Sequence, residues 1–187
     1  MSQSSIPNSV ITTTPRTRAI SEVPRLAARA AELLQGFRAF VQLDAQDART
    51  VVAYLREVSY APGDMLFRAG DVQAGAHLLL VLEGEVTVET GTALPGLEVP
   101  IAVLGPGAVL GEMALLDGAP RSATVTAVTP VQAAGLARRG LERLIDEHPK
   151  VAARLMVVLA QHMAERLRAL DDQLRMYGQI HTAIRAG

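Results

Sequence analysis

Between Tyr60 and Ala137 the chain is written as short apolar stretches that a glycine or a proline keeps interrupting. APGD (61–64) reads as a turn, and MLFRAGD (65–71) as a short strand running into a second turn. HLLLVLEGEVTVET (77–90) reads as two strands bent at Gly84, and IAVLGPGAVL (101–110) as a strand, a Gly-Pro-Gly turn and a strand. Gly91 to Pro100 is expected to be a hairpin loop, and Thr124 to Ala137 is further β text broken at Pro130. Short strands at this even spacing bury little alone, and the pattern predicts that they close on one another as a barrel or roll.

The flanks carry a different rhythm. Met1 to Val23 is polar, rich in Ser and Thr and punctuated by Pro, and is expected to be a disordered tail (residues 1–23). PRLAARAAELLQ (24–35) has helical propensity and stops at Gly36. Asp44 reads as a cap for a second helix carrying Val51, Val52 and Leu55, so N-terminal helices are expected over 24–59 and the roll over 60–137. Arg138 to Glu147 reads as a short helix, and Pro149 ends it. From Lys150, residues Val151, Leu155, Leu159, Met163, Leu167, Leu170 and Leu174 make one helical stripe, widened by Val157 and Val158. C-terminal helices are expected over 138–178, with a tail over 179–187.

Composition narrows the function classes. Hydrophobic residues are 49% of the 187 and aromatics only 3%, so a core of Leu, Val, Ile and Ala is available. The net charge of −1 and the lack of a basic block argue against non-specific nucleic-acid binding. There is no cysteine, no apolar run long enough to span a bilayer and no secretory-type leader, so a cytoplasmic location without membrane contact is expected. The four histidines, His77, His148, His162 and His181, form no His-x-His pair, and neither a metal set nor a nucleophile–base pair can be read. The chain is not expected to be an enzyme, to hold a metal or to carry a cofactor.

One stretch carries chemistry, GEMALLDGAPRSATV (111–125). Gly107 and Gly111 permit close backbone approach, and a short helical turn beginning at Met113 would offer free amides to an anion. Arg121 supplies a forked cation suited to phosphate oxygens, and Ser122 a hydroxyl beside it. Glu112, acceptor-only when ionised, suits a sugar hydroxyl. The competing reading is a Glu112–Arg121 ion pair that merely pins a loop.

The full pattern resembles the phosphate-binding cassette of the cyclic-nucleotide-binding domain family, which includes cAMP receptor proteins and the regulatory subunits of cAMP-dependent kinases. Gly111, Glu112, Ala114, Leu115, Leu116 and then Pro120, Arg121, Ser122, Ala123, Thr124 and Val125 carry the likeness, with Gly63, Gly70, Gly84 and Gly107 in support. The resemblance runs from roughly Phe37 to Leu174, with the cassette over 107–125. It implies a mostly β fold with flanking helices: a double-stranded β-helix, or jelly-roll-like β-roll, with N-terminal helices and a long C-terminal helix.

It also implies roles. Arg121 would pair with an equatorial cyclic phosphate, and Ser122 and the Ala114 amide would bond its oxygens. Glu112 would accept from a ribose 2′-hydroxyl, Gly111 would admit the sugar edge, and Met113 belongs to the same contact set. Arg166, on the helix after the roll, and Ala123 are the candidate base contacts, with a solvated Arg166 as the alternative. The hydroxyl pair some bacterial members use there is absent, since Leu167 follows, and Leu110 stands where Phe is frequent. The implied ligand is cAMP, with cGMP as the alternative because Ser122 could meet a guanine amino group.

A helix-turn-helix does not fit after the long helix, so DNA binding is not expected. The expected role is a stand-alone sensor that signals to an unidentified effector protein by moving its C-terminal helix. A homodimer through that helix is expected, with a monomer as alternative, and a nucleotide-independent scaffold on the same fold is the competing function.

Overall fold

The structure, a computed structural model, describes residues 18–37, 39–72, 76–91 and 98–186. Two antiparallel sheets form the roll. The first runs, in spatial order, β1 (Arg18–Ala19), β2 (Arg56–Tyr60), β9 (Val131–Ala137), β4 (His77–Glu83) and β7 (Val109–Leu110). The second runs β3 (Met65–Phe67), β8 (Thr124–Ala127), β5 (Val86–Gly91) and β6 (Glu98–Leu104). Helices α1 (Pro24–Gly36), α2 (Ala45–Val52), α3 (Glu112–Asp117), α4 (Arg138–Glu147) and α5 (Pro149–Ala186) complete the fold. A mostly β roll with flanking helices is what the sequence predicts.

The chemistry of β4 explains the layering. Successive side chains on a strand face opposite ways. Leu79 and Val81 therefore enter the space between the sheets, beside Val86, Val88, Val125 and Ala133. Leu78, Leu80 and Leu82 face the helices, beside Leu34, Val51 and Leu155. Where a strand is buried on both faces it has no polar positions, which is why the interior of β4, Leu78 to Leu82, reads as a continuous apolar run. Strand β9 is also two-faced, with Val131 and Ala133 turned into the roll and Ala134 and Leu136 toward the helices.

The helices supply stripes to the outer core. Leu26, Ala30 and Leu34 of α1 are buried at steps of four, behind Pro24 at the first helical position. Helix α2 has a full capping box: Asp44 accepts from the amides of Gln46 and Asp47, and Asp47 accepts from the amide of Asp44. On α5, Ala152, Leu155, Val158 and Leu159 are buried, whereas residues 165–169 are exposed. The helix spans about 57 Å at 1.5 Å per residue. No helix among the described residues is long and apolar enough to cross a membrane.

Four boundaries differ from expectation. Residues 18–22, expected in a tail, form β1 and a 3₁₀ turn, because Ile20 is fully buried and its amide bonds the Leu55 carbonyl; residues 1–17 lie outside the described part. The N-terminal helices stop at Val52, and β2 begins at Arg56 because it pairs with β9 from Arg56↔Gly135 to Tyr60↔Val131. The expected loop at 91–100 is partly strand, since β6 starts at Glu98 opposite Gly91; residues 92–97 lie outside the described part. Helix α5 continues through Gly178 to Ala186 where a tail was expected. An interior glycine costs a helix only about 1 kcal/mol.

Gly84 joins β4 to β5 at φ 86°, where an added Cβ would lie 2.2 Å from the Pro130 carbonyl oxygen. Both the left-handed backbone and the contact with main chain forbid a side chain. Gly84→Ala should lose roughly 2 kcal/mol or more of unfolding free energy in urea, with little change in m-value.

Candidate functional site

The site grows out of the turn that ends β7. Leu110 pairs with Leu79 of β4, and the next residue, Gly111, sits at φ 74° as the N-cap of α3. A Cβ on Gly111 would lie 2.3 Å from Arg121 Nη1 and 3.0 Å from the His77 carbonyl oxygen, so only glycine fits. Leu115 anchors α3 in the outer core, 1% exposed. Gly118, also left-handed, ends the helix with its amide on the Ala114 carbonyl, which accepts a second bond from Arg138 of α4 at 3.3 Å. Asp117 then accepts from the Ala119 amide, turning the chain back toward Arg121.

Arg121 is held from three directions. Its backbone is locked to the β3–β4 connection, with its amide on the Asp71 carbonyl and its own carbonyl accepting from Gly70. Its Nη1 donates to the carbonyls of His77 at 2.9 Å and Gly111 at 3.1 Å. Its guanidinium carbon lies 3.8 Å from the centre of the Phe67 ring, a cation–π contact. The residue is only 5% exposed, yet Nη2 is buried without a hydrogen-bond partner. No other buried side-chain polar atom among the described residues is left so.

Burial pushes the Arg121 guanidinium below its ordinary value, with Tyr60, Glu112 and Asp71 pulling the other way. Arginine nonetheless remains a cation at neutral pH. Burial likewise pushes the Tyr60 phenol up to about 12, keeping it neutral near Arg121. The site therefore holds one desolvated positive charge with an unused donor.

Glu112 does not pair with Arg121. Its carboxylate, in a residue 4% exposed, accepts from Nη1 of Arg166 on α5 at 3.0 Å. This overturns the Glu112–Arg121 loop pin, and it gives the solvent-exposed Arg166 a partner in the cavity wall. Four residues after His162, Arg166 reaches back across the mouth of the cavity to α3.

These groups line one cavity holding about 430 Å³ of empty space, part of it open to solvent. All eight residues singled out in the sequence line it: Gly111, Glu112, Met113, Ala114, Arg121, Ser122, Ala123 and Arg166. Phe67, Val88, Leu110 and Val125 complete the wall. Sequence reasoning missed Phe67 and the His77 carbonyl as supports of Arg121. Phe67 had a faint signal, being one of three phenylalanines and set in a β stretch, but a main-chain carbonyl has none. Chemically, the cavity offers a donor for an anion, a carboxylate acceptor for a hydroxyl and an apolar wall. Among the described residues no group of three or more His, Cys, Asp or Glu side chains could hold a metal.

Comparison with known proteins agrees with this geometry. Residues 57–148 match the family described as the cyclic nucleotide-binding domain. The Cyclic AMP receptor protein of Thermus thermophilus is 35% identical over 138 residues, covering 74% of this chain and 62% of that protein. A cAMP-dependent protein kinase regulatory subunit of Emericella nidulans is 35% identical over 91 residues, 49% of this chain and 21% of that one. The crystal structure of a cyclic nucleotide-binding domain from Methylobacillus flagellatus superposes with a TM-score of 0.73 at 30% identity, covering 80% of this chain and 82% of that one. The chain spans between half and about three-fifths of the length of the first curated relatives it matches.

The Glu112–Arg166 pair is testable on its own. Arg166 is 43% exposed at its side chain, so solvent screens the attraction. A double-mutant cycle with Glu112→Gln and Arg166→Gln, read by chemical denaturation, should give a coupling of roughly 0.5–1 kcal/mol. Strict additivity would mean the pair contributes nothing in solution.

Proposed function

We propose, from a chain that belongs to the cyclic-nucleotide-binding domain family, that its cavity takes a 3′,5′-cyclic nucleotide, cAMP foremost, and that the protein is a regulatory module rather than an enzyme. The observation that carries this reading is Arg121 Nη2, a buried cationic donor without a partner in a cavity wall. An unpaired buried charge is costly, and an anion with oxygen acceptors would supply what is missing. A cyclic phosphate matches in charge and geometry.

The remaining roles follow from position. Ser122, whose residue is exposed at the cavity wall, and the Ala114 amide in the first turn of α3 would bond the other phosphate oxygens. Glu112 would accept from the ribose 2′-hydroxyl, with Gly111 and Met113 along the sugar edge. Val88, Ala123 and Val125 offer an apolar surface to a base, and Arg166 would cover it from α5. Because Arg166 already holds Glu112, a ribose at that carboxylate must share it with Arg166 or displace it. Ligand binding would then reposition α5, by no more than its differential affinity for the two helix positions allows.

The module would act in the cytoplasm and pass this movement to an effector protein. The face of α5 that carries Leu167, 62% exposed, is the surface for a second copy. If so, wild type should sediment as a dimer and Leu167→Glu should shift it toward monomer at micromolar concentration.

Calorimetric titration of cAMP and then cGMP into nucleotide-stripped protein, with Arg121→Leu alongside, tests the central reading. Loss of a buried charged hydrogen-bonding partner costs roughly 2–5 kcal/mol, enough to push a micromolar site out of range. Saturable heat in wild type that vanishes in the variant is the expected result, and the stronger nucleotide names the base. Absence of heat from either nucleotide in folded wild type would replace the sensor with a scaffold on the same fold.

A further inference from the structure

The segment joining α1 to α2 is fastened to α5 at successive levels. Arg154 pairs with both acids of the α2 capping box, Asp44 at 3.5 Å and Asp47 in close contact. The Phe40 amide donates to Gln161 Oε1 at 3.2 Å. The His162 ring stands edge-on to Phe37, with centroids 5.7 Å apart at 66°. One turn further on, Arg166 reaches Glu112 at 3.0 Å. Residues four apart share a helix face, so His162 stands between an apolar ring and the charge pair at the cavity mouth.

We propose that His162 is a proton-operated latch: neutral, it seats against Phe37 and holds α5 where Arg166 reaches Glu112, and protonated, it releases this stretch of α5 from the α1–α2 segment. Imidazole is the side chain suited to such a change near neutral pH. His162 is half-buried, and that burial holds its proton affinity below the ordinary imidazole value. The charged groups acting on it are Glu112 from α3, which raises it, Arg166 of α5, which lowers it, and Glu165 of α5, which raises it. Among the described residues of the α1–α2 segment the facing group is the uncharged Phe37 ring, and Asp44 and Asp47 are engaged by Arg154 about two turns earlier.

The direction follows from linkage. A histidine whose seated form prefers to be neutral seats at full strength above its ordinary value of about 6.5. Seating then weakens as pH falls below that value toward the value of the seated group. A protonated His162 would also stand one turn from Arg166, a like-charge i,i+4 pair that opposes helix and pair alike. Ligand affinity, which rests on the nucleotide reading above, would rise over the same window as Arg166 lets go of Glu112, by at most tenfold per pH unit, the limit for one proton.

Two arms test the latch in the full chain between pH 5.5 and 8. The first is amide exchange of residues 39–44 and 158–166 without nucleotide. The second is the cAMP dissociation constant. Wild type should lose protection and gain affinity on acidification below about pH 6.5, whereas His162→Phe, which keeps the edge contact and carries no proton, should be flat in both. His162→Asn serves if the phenylalanine variant fails to fold. Flat wild-type protection, or a variant that changes in parallel with wild type, overturns the latch. Failure of cAMP to bind at any pH overturns the nucleotide reading instead, and the exchange arm still decides the latch.

Discussion

One guanidinium out of water organises the cavity. A buried cation is tolerated only where dipoles and rings replace its hydration. Arg121 finds two main-chain carbonyls and the face of Phe67, and these come from different parts of the roll. Phe67 lies on β3 of the second sheet, His77 begins β4 of the first, and Gly111 follows β7 as the N-cap of α3. Closing the roll and building the site are thus one act: until both sheets meet, Arg121 has no seat. The same constraint explains Gly111, whose missing Cβ is the space that Arg121 Nη1 occupies.

What the roll does not supply is a partner for Nη2. Native interiors rarely leave a charged donor unmet, and such vacancies mark sites with work to do. At the other end of the cavity Glu112 shows the opposite condition, a buried carboxylate already engaged by a cation from another element. A ligand bearing an anion beside a hydroxyl would satisfy the first group and compete at the second. Under the proposed function, that asymmetry would let occupancy bear on the position of α5.

Strands β4 and β9 connect the cavity to the helical layer because both are buried on two faces. Leu79 and Val81 pack the roll, while Leu78, Leu80 and Leu82 carry the helices. Close packing between two such layers resists continuous deformation, so helix movement requires discrete exchange of contacts. The ties between α5 and the α1–α2 segment at Arg154, Gln161 and His162 are contacts of that kind, few and polar or aromatic at the edge of the core. Under the proposed latch, they would extend the influence of the cavity toward the N-terminal helices.

The order of helix, roll and helix was legible because each rests on local pattern. Glycines such as Gly84 and Gly111 occupy left-handed turns, strand text alternates or runs apolar, and α5 carries its stripe. Eight of the twelve cavity residues were legible too, since seven of these lie within one continuous segment, 111–123, and a short chain segment keeps its members close. Boundaries that depend on distant partners were not: Ile20 is ordered by Leu55, and β2 starts at Arg56 because β9 is there to pair with it. Nor could spacing show that Glu112 pairs with Arg166 rather than Arg121. The sequence alone determined which charges and turns the site would contain, because those follow from residue type and local backbone. Only the tertiary structure decided which charge met which, because ion pairing depends on distances through space that sequence separation does not set.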